Sequence, residues 1–362
     1  MKIFIGGDVV PTDVNELLFE QGDSKALFNG LTEITKNADA YIVNLECCLT
    51  DGGYPIRKKG PNIKASTKSV NGLVASKITH VALANNHSVD LGVDATKEML
   101  DVLKANNIGY VGVGDNAELA RDILYIEKDG VKVGIVNSCE HEYTYAKENS
   151  FGANGYSPLK TVEDIKKAKQ NADYVIVIFH GGKEYCRYPS PRLMDTCRLF
   201  TVSGANAVLC QHTHCISCYE EYAGGHILYG QGNYNFIWQN FPRDCWNTGL
   251  LAEFDIDKNS FKVNYIPTYI KGVGIDVASG DIKDEILNGL AKRNEELANG
   301  KWIDGWRDFC FNDVKNAYVE AVTNSFKDGA TDDDIEMFSH FIDCEAHLDV
   351  LQELYKSWHK AN

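Results

Sequence analysis

Short apolar runs recur along the chain up to about residue 270, each bounded by polar or glycine-bearing stretches. The runs at 2–5, 40–44, 80–82, 108–111, 122–127, 132–137, 174–179, 207–209, 226–229, 249–255 and 260–267 predict strands. Between them, apolar residues at helical spacing predict helices over 15–28, 70–76, 94–106, 162–171 and 191–203. Such alternation implies an α/β protein with a mostly parallel sheet under helical cover. The pairs 122–137 and 249–267 read as hairpins that add antiparallel strands; the second carries a Lys258-Asn259 turn.

The pattern changes after about residue 275. β-Branched runs stop, charges become dense, and helices are predicted over 282–297, 313–324 and 332–359. Phe338, Phe341, Ile342, Leu348, Leu351, Leu354 and Tyr355 fall at helical spacing. The chain is therefore expected to divide into an α/β domain, 1–275, and a helical extension, 276–362. Trp302, Trp306 and Phe309 are expected to pack the second onto the first.

The predicted strands end in unusual residues. The first runs into Gly7-Asp8, the second into Asn44-Leu45-Glu46, the third into Asn85-Asn86-His87 with Asp90 close behind. The central strand ends at His180, and the 207–209 strand leads into His212-Thr213-His214. In an extended chain, residues two apart share a face, so His212 and His214 are expected to aim at one spot. Sites in open α/β sheets lie beyond the carboxyl ends of the strands. Mixed oxygen and imidazole donors there suit one or two divalent ions, Mn, Fe or Zn, better than Ca or Mg. Two ions a few ångströms apart can activate a water and clamp the oxygens of a displacement at phosphorus.

Net charge narrows the partners. With 51 acidic against 36 basic residues the chain carries −15, which disfavours nonspecific binding to nucleic acid or an anionic membrane. No run approaches a membrane span, and a cytoplasmic location is expected. Eleven cysteines without framework spacing read as reduced core thiols, the Cys215-Ile-Ser-Cys218 motif included. No GxGxxG, Walker or GxSxG motif is present, so Gly112 and Gly114 read as turn residues.

The ordered motifs are Asp8, Asn44-Leu45-Glu46, Ala84-Asn85-Asn86-His87 with Asp90 and Gly92, His180-Gly181-Gly182-Lys183-Glu184-Tyr185 with Pro189, His212-Thr213-His214, and Tyr229-Gly230-Gln231-Gly232-Asn233. Together they resemble the signature of the capsule-synthesis CapA and poly-γ-glutamate-synthesis PgsA family, a branch of the calcineurin-like metallophosphoesterases. The resemblance spans roughly residues 1–270. It implies an α/β/β/α sandwich and a metal-dependent hydrolase, acting on a phosphoester in capsule, exopolysaccharide or poly-γ-glutamate synthesis. It implies that Asp8 and His214 bind one ion, that Glu46 bridges, and that Asn86, His180 and His212 bind the other. His87 would protonate the leaving group and Asp90 would orient it. Val10 stands where general metallophosphoesterases have a ligating histidine. A γ-glutamyl amide hydrolase or transferase, and a non-catalytic assembly subunit of a capsule synthase, are the alternatives.

Lys183, Glu184, Tyr185, Arg187 and Asn233 are expected to line a cleft for an anionic small molecule or polymer. Arg57, Lys58, Lys59 and Lys64 read either as an anion site or as a solvated loop, and His141 and Glu142 as within reach of the cleft. His226, His340, His347 and His359 read as structural or surface residues.

Overall fold

Successive residues of a strand face opposite sides of its sheet, and two strands of this chain use that to build three cores. The computed structural model describes residues 1–358. Strand Lys2–Val10 sends Ile3 and Ile5 to one core and Phe4 to another. Strand Tyr174–His180 sends Ile176 and Ile178 into the core of Ile3 and Ile5, while Val175, Val177 and Phe179 enter a third. Two sheets thus face each other across one apolar layer, with helices on each outer face. This is an α/β/β/α sandwich.

The larger sheet has the order Gly274–Val277, Ser260–Lys271, Thr248–Asp257, Lys2–Val10, Ala40–Leu45, His80–Ala82, Gly109–Val111. An eighth strand, Asn233–Phe236, pairs parallel with the end of the first, Asp8 opposite Asn233. The second sheet runs Tyr219–Tyr222, Gly225–Leu228, Ala207–Gln211, Tyr174–His180, Val131–Cys139, Leu124–Lys128. The central strands of each sheet are parallel, and both expected hairpins form. The register shifts between Ile5 and Asp8. A side chain at Gly7 would sit 2.4 Å from the Gly232 carbonyl, so glycine there lets the two chains approach and sets Asp8 beside Asn233.

Several expected elements are subdivided. The 15–28 helix is two, Glu16–Gln21 and Ser24–Phe28. Gly22, at φ 70°, ends the first, and the Asp23 carboxylate caps the second by accepting from Ala26 N. The expected 332–359 helix breaks at Cys344 (φ −83°, ψ 127°) into Asp332–Asp343 and Glu345–Trp358; His359 lies outside the described residues. The 313–324 helix is preceded by a π-helical turn, Phe309–Val314, and runs over Lys315–Phe326. Among the described residues, no helix is long and apolar enough to cross a membrane.

The helical part begins at Gly280 and curls back over the sandwich. Trp306, Phe309, Cys310, Tyr318, Phe341 and Val350 form a fourth core that also takes in Cys186. Polar ties hold its last helix: Glu345 accepts from His141, and Asp349 accepts from Ser190 and Arg192. All eleven cysteines are free and buried.

Candidate metal centre

The parallel strands of both sheets end at one place. Asp8 lies two residues before the end of the first strand, and Asn44, near the end of its neighbour, donates to Asp8 Oδ1 at 2.8 Å. The same Asn44 amide lies 3.3 Å from His180 Nδ1, and Asn85 donates to Asn44 Oδ1 at 3.0 Å. On its other side His180 Nε2 is 3.0 Å from Asn86 Oδ1 and 3.3 Å from Glu46 Oε1. Asn44 thus orients a carboxylate from one strand and an imidazole from the opposite sheet.

The strand before the histidine pair ends at Gln211, so His212 and His214 do not lie on an extended segment. Both adopt positive φ, 82° and 51°. Their rings nevertheless converge, 6.1 Å apart, with His212 4.8 Å from His180. The expected convergence arises from a tight turn with left-handed residues, not from the two-residue repeat of a strand. His214 Nδ1 donates to Asn233 Oδ1 at 2.9 Å, which leaves Nε2 facing Glu184 at 3.9 Å.

Donor atoms of Asp8, Glu46 and His180 lie within 4.8 Å of one another, and so do those of Glu46, His212 and His214. Glu46 is common to both groups. His214 Nδ1 also lies 3.5 Å from Asp8 Oδ2, and the His212 ring is nearer to His180 than to His214, so the donors form one continuous cluster around Glu46. Val10 is buried in the apolar core and brings no donor.

Four buried atoms here have no hydrogen-bond partner: Asp8 Oδ2, both oxygens of Glu46, and His212 Nδ1. Buried polar atoms are almost always paired, and orphaned carboxylate oxygens are the costliest to leave bare. A divalent ion satisfies carboxylate and imidazole together, so the residues present fit one. The titration pattern agrees. Burial, then the Asp8 charge, pushes the Glu46 carboxyl well above its ordinary range. Burial lifts Asp8 too, but the His214 imidazole, 3.5 Å from its Oδ2, and the His180 charge outweigh it and hold Asp8 low. Burial opposes a charge on His214, yet the carboxylates of Glu46 and Asp8 raise it to about 9. Burial lowers His180 to about 4 and His212 well below its usual value. In the ion-free site a proton on His214 does part of a cation's work.

His87 stands beside this centre. Its Nδ1 is 2.6 Å from Asp90 Oδ2, and Lys58 Nζ is 2.5 Å from the other Asp90 oxygen and 3.1 Å from the ring. Burial, then the Lys58 charge, lowers His87 to about 4, so its ring is neutral with Nε2 bare. The basic run divides: the Lys58 side chain is buried, whereas Arg57 and Lys64 are exposed. Arg57 pairs with Glu336 at 3.0 Å and Lys59 with Asp333, both on the extension.

The expected cleft residues separate. Lys183 pairs with Glu184 at 3.6 Å, and the Tyr185 ring lies 6.1 Å from that of His214. Asn233 is committed to His214 and to the Trp246 carbonyl, so it positions a ligand. Arg187 lines a different cleft of about 450 Å³, with Arg243, Asp308 and Phe309. Glu142 reaches the centre, its Oε2 3.8 Å from His212 Nε2; burial, then the Glu184 charge, raises it to about 7. Asn44 belongs to the Asn44-Leu45-Glu46 motif, but nothing in the sequence assigns it this orienting role. His340 also approaches, 3.3 Å from Glu142, although read as structural or surface.

Fold and site together define an α/β/β/α protein with a buried strand-end centre of carboxylates and imidazoles that could bind metal. The chain belongs to the bacterial capsule synthesis protein PGA_cap family, whose model matches residues 2–237. It is similar to the capsule biosynthesis protein CapA of Bacillus anthracis, 28% identical over 241 residues, which span 64% of this chain and 58% of that protein. It is also similar to the PGA biosynthesis protein CapA of Bacillus subtilis strain 168, 28% identical over 257 residues, 70% of this chain and 67% of that protein. Among solved structures, a hypothetical protein from Thermus thermophilus matches 74% of this chain and 98% of its own, at 14% identity and a TM-score of 0.44.

Proposed function

We propose that the chain is a metal-dependent phosphoester hydrolase serving capsule, exopolysaccharide or poly-γ-glutamate synthesis, with Mn, Fe or Zn at the strand-end centre. The observation that carries this reading is the set of orphaned buried atoms on Asp8, Glu46 and His212. Asp8, Glu46, Asn86, His180, His212 and His214 would hold one or two ions. A bound ion supplies a hydroxide nucleophile near neutral pH and neutralises charge on phosphoryl oxygens.

The chain's own residues do the rest. Asp90 accepts from His87 Nδ1 and fixes the tautomer, which presents Nε2 to the leaving group. Lys58 holds Asp90 and adds positive charge beside the same ring. An anionic substrate next to His87 raises its proton affinity, and the ring then carries the proton that the leaving oxygen takes. Lys183 offers a second cation, and Tyr185 with Trp246 walls the site against water. The substrate is an anionic small molecule or a polymer end, and capsule-synthase subunits are the expected partners. Eleven free thiols support a reducing, cytoplasmic setting.

The test uses the full chain loaded with Mn²⁺ and an aryl phosphate monoester and diester. Turnover is expected, with His87→Ala lowering kcat by about 10²–10⁴-fold and leaving metal content unchanged. A metal-loaded, folded protein inactive on both esters overturns the hydrolase reading. Val10, apolar where a ligand is usual, would then favour the assembly-subunit alternative.

A further inference from the structure

A second group of donors lies where the extension meets the sandwich. Glu142 follows the Val131–Cys139 strand, His340 lies on the Asp332–Asp343 helix, and His347 on the Glu345–Trp358 helix. One ligand atom from each falls within 4.8 Å of the other two. Glu142 Oε1 is 3.3 Å from His340 Nε2, and the two histidine rings are 4.5 Å apart. Both histidines lie beyond the residues matched by the family model.

The rings are held from behind. Tyr318 OH is 2.6 Å from His347 Nδ1, and when Nδ1 donates there, Nε2 is left as a bare donor atom. Tyr143 stacks on His340 at 5.1 Å, and Phe341 stacks on His347 at 4.7 Å. Apolar surroundings of this kind favour neutral imidazole, which is the ligating form. Glu142 and His340 also line an open cleft of about 580 Å³, with Arg57, Tyr143 and Glu336 among its walls. Lys183 and Lys58 act on this group as opposing charges, but they are paired with Glu184 and Asp90.

We propose that Glu142, His340 and His347 form a further metal site, a two-histidine, one-carboxylate set for a zinc-class divalent ion whose remaining position opens to the cleft. Three protein ligands with one open position is the arrangement of zinc sites that bind a water or an incoming oxygen. Its ligand from outside would be an anionic oxygen, a carboxylate or phosphate of the molecule in the cleft. Glu142 turns its second oxygen toward His212, so this site adjoins the strand-end centre without sharing its other donors.

The test counts ions, so it stands apart from any activity. Full-length protein stripped with chelator is titrated with Zn²⁺ by calorimetry, and bound zinc is measured by elemental analysis. His340→Gln, which removes none of the strand-end donors, is expected to bind one equivalent fewer than wild type, and Glu142→Gln likewise. The double variant Asp8→Asn/Glu46→Gln is expected to keep an equivalent that disappears when His340→Gln is added. Cobalt loaded into that double variant should give visible absorption of a four-coordinate ion, and His340→Gln should remove it. An unchanged zinc count in folded His340→Gln and Glu142→Gln overturns the proposal. If the Asp8→Asn/Glu46→Gln protein instead keeps its full wild-type zinc count, the strand-end reading fails while this one stands.

Discussion

Two groups of buried carboxylates lie near each other and are treated in opposite ways. Where the extension docks, Glu140 accepts from Arg192 and Gly182 N, and Asp349 accepts from Arg192 and Ser190. Glu345 accepts from the His141 ring and backbone. Every oxygen of these three side chains thus has a donor within the chain. At the strand ends, Asp8 has a donor for one oxygen and Glu46 for neither. Burial alone therefore says little about role. A buried carboxylate whose oxygens are all bonded is part of the frame, and one left bare is built for a ligand from outside.

The comparison breaks most sharply on turnover. Glu46→Gln is expected to lower the Mn²⁺-dependent rate by at least about 10²-fold, whereas Glu140→Gln should leave it within a few-fold. Equal losses would show that the two groups do not differ in role. Next comes stability of the frame. Arg192→Ala leaves Glu140 and Asp349 without their shared cation and should cost about 2–3 kcal/mol by denaturant unfolding, less than a fully enclosed pair would because Arg192 is partly exposed. The strand-end group should respond differently. In chelated protein, Glu46→Gln removes a buried carboxyl whose ionisation burial already disfavours, and should leave stability unchanged or add up to about 1 kcal/mol. In Mn²⁺-saturated protein it should subtract.

The smallest effect is a slope in pH. His214 is raised to about 9 in the ion-free site, above the ordinary 6.5 of histidine. Its contribution to stability is therefore complete below about 6.5 and is lost as pH climbs through about 9. Melting temperature of chelated protein should fall across that window, and Mn²⁺ should flatten the fall by taking the place of the proton. A slope untouched by metal would remove His214 from the centre.

Much of the fold was legible because its signals are local. Ile3, Ile5, Ile176 and Ile178 alternate with apolar residues that enter the cores on the other faces of their sheets, and the hairpin pairs announce themselves by short turns. Polar residues at strand ends located the centre, since parallel strands deliver their ends to one edge. Other features depend on contacts distant in sequence. His340 and His347 look like ordinary helix residues until the break at Cys344 folds one helix back on the other. Lys58 sits in a basic run that reads as solvated, yet Asp90 draws it inside. The turn at His212 and His214 escaped a strand-based argument because the left-handed conformations have no glycine to mark them.

That turn also bears on attempts to improve the protein. Histidine at positive φ is uncommon, and each such residue costs on the order of 1–3 kcal/mol. Asparagine or glycine at 212 or 214 would relax the backbone and at the same time delete a donor. Directed evolution that rewards heat resistance alone would therefore drift toward variants that are sturdier and empty-handed. A library built on this scaffold needs retained metal as a co-selected trait from its first round.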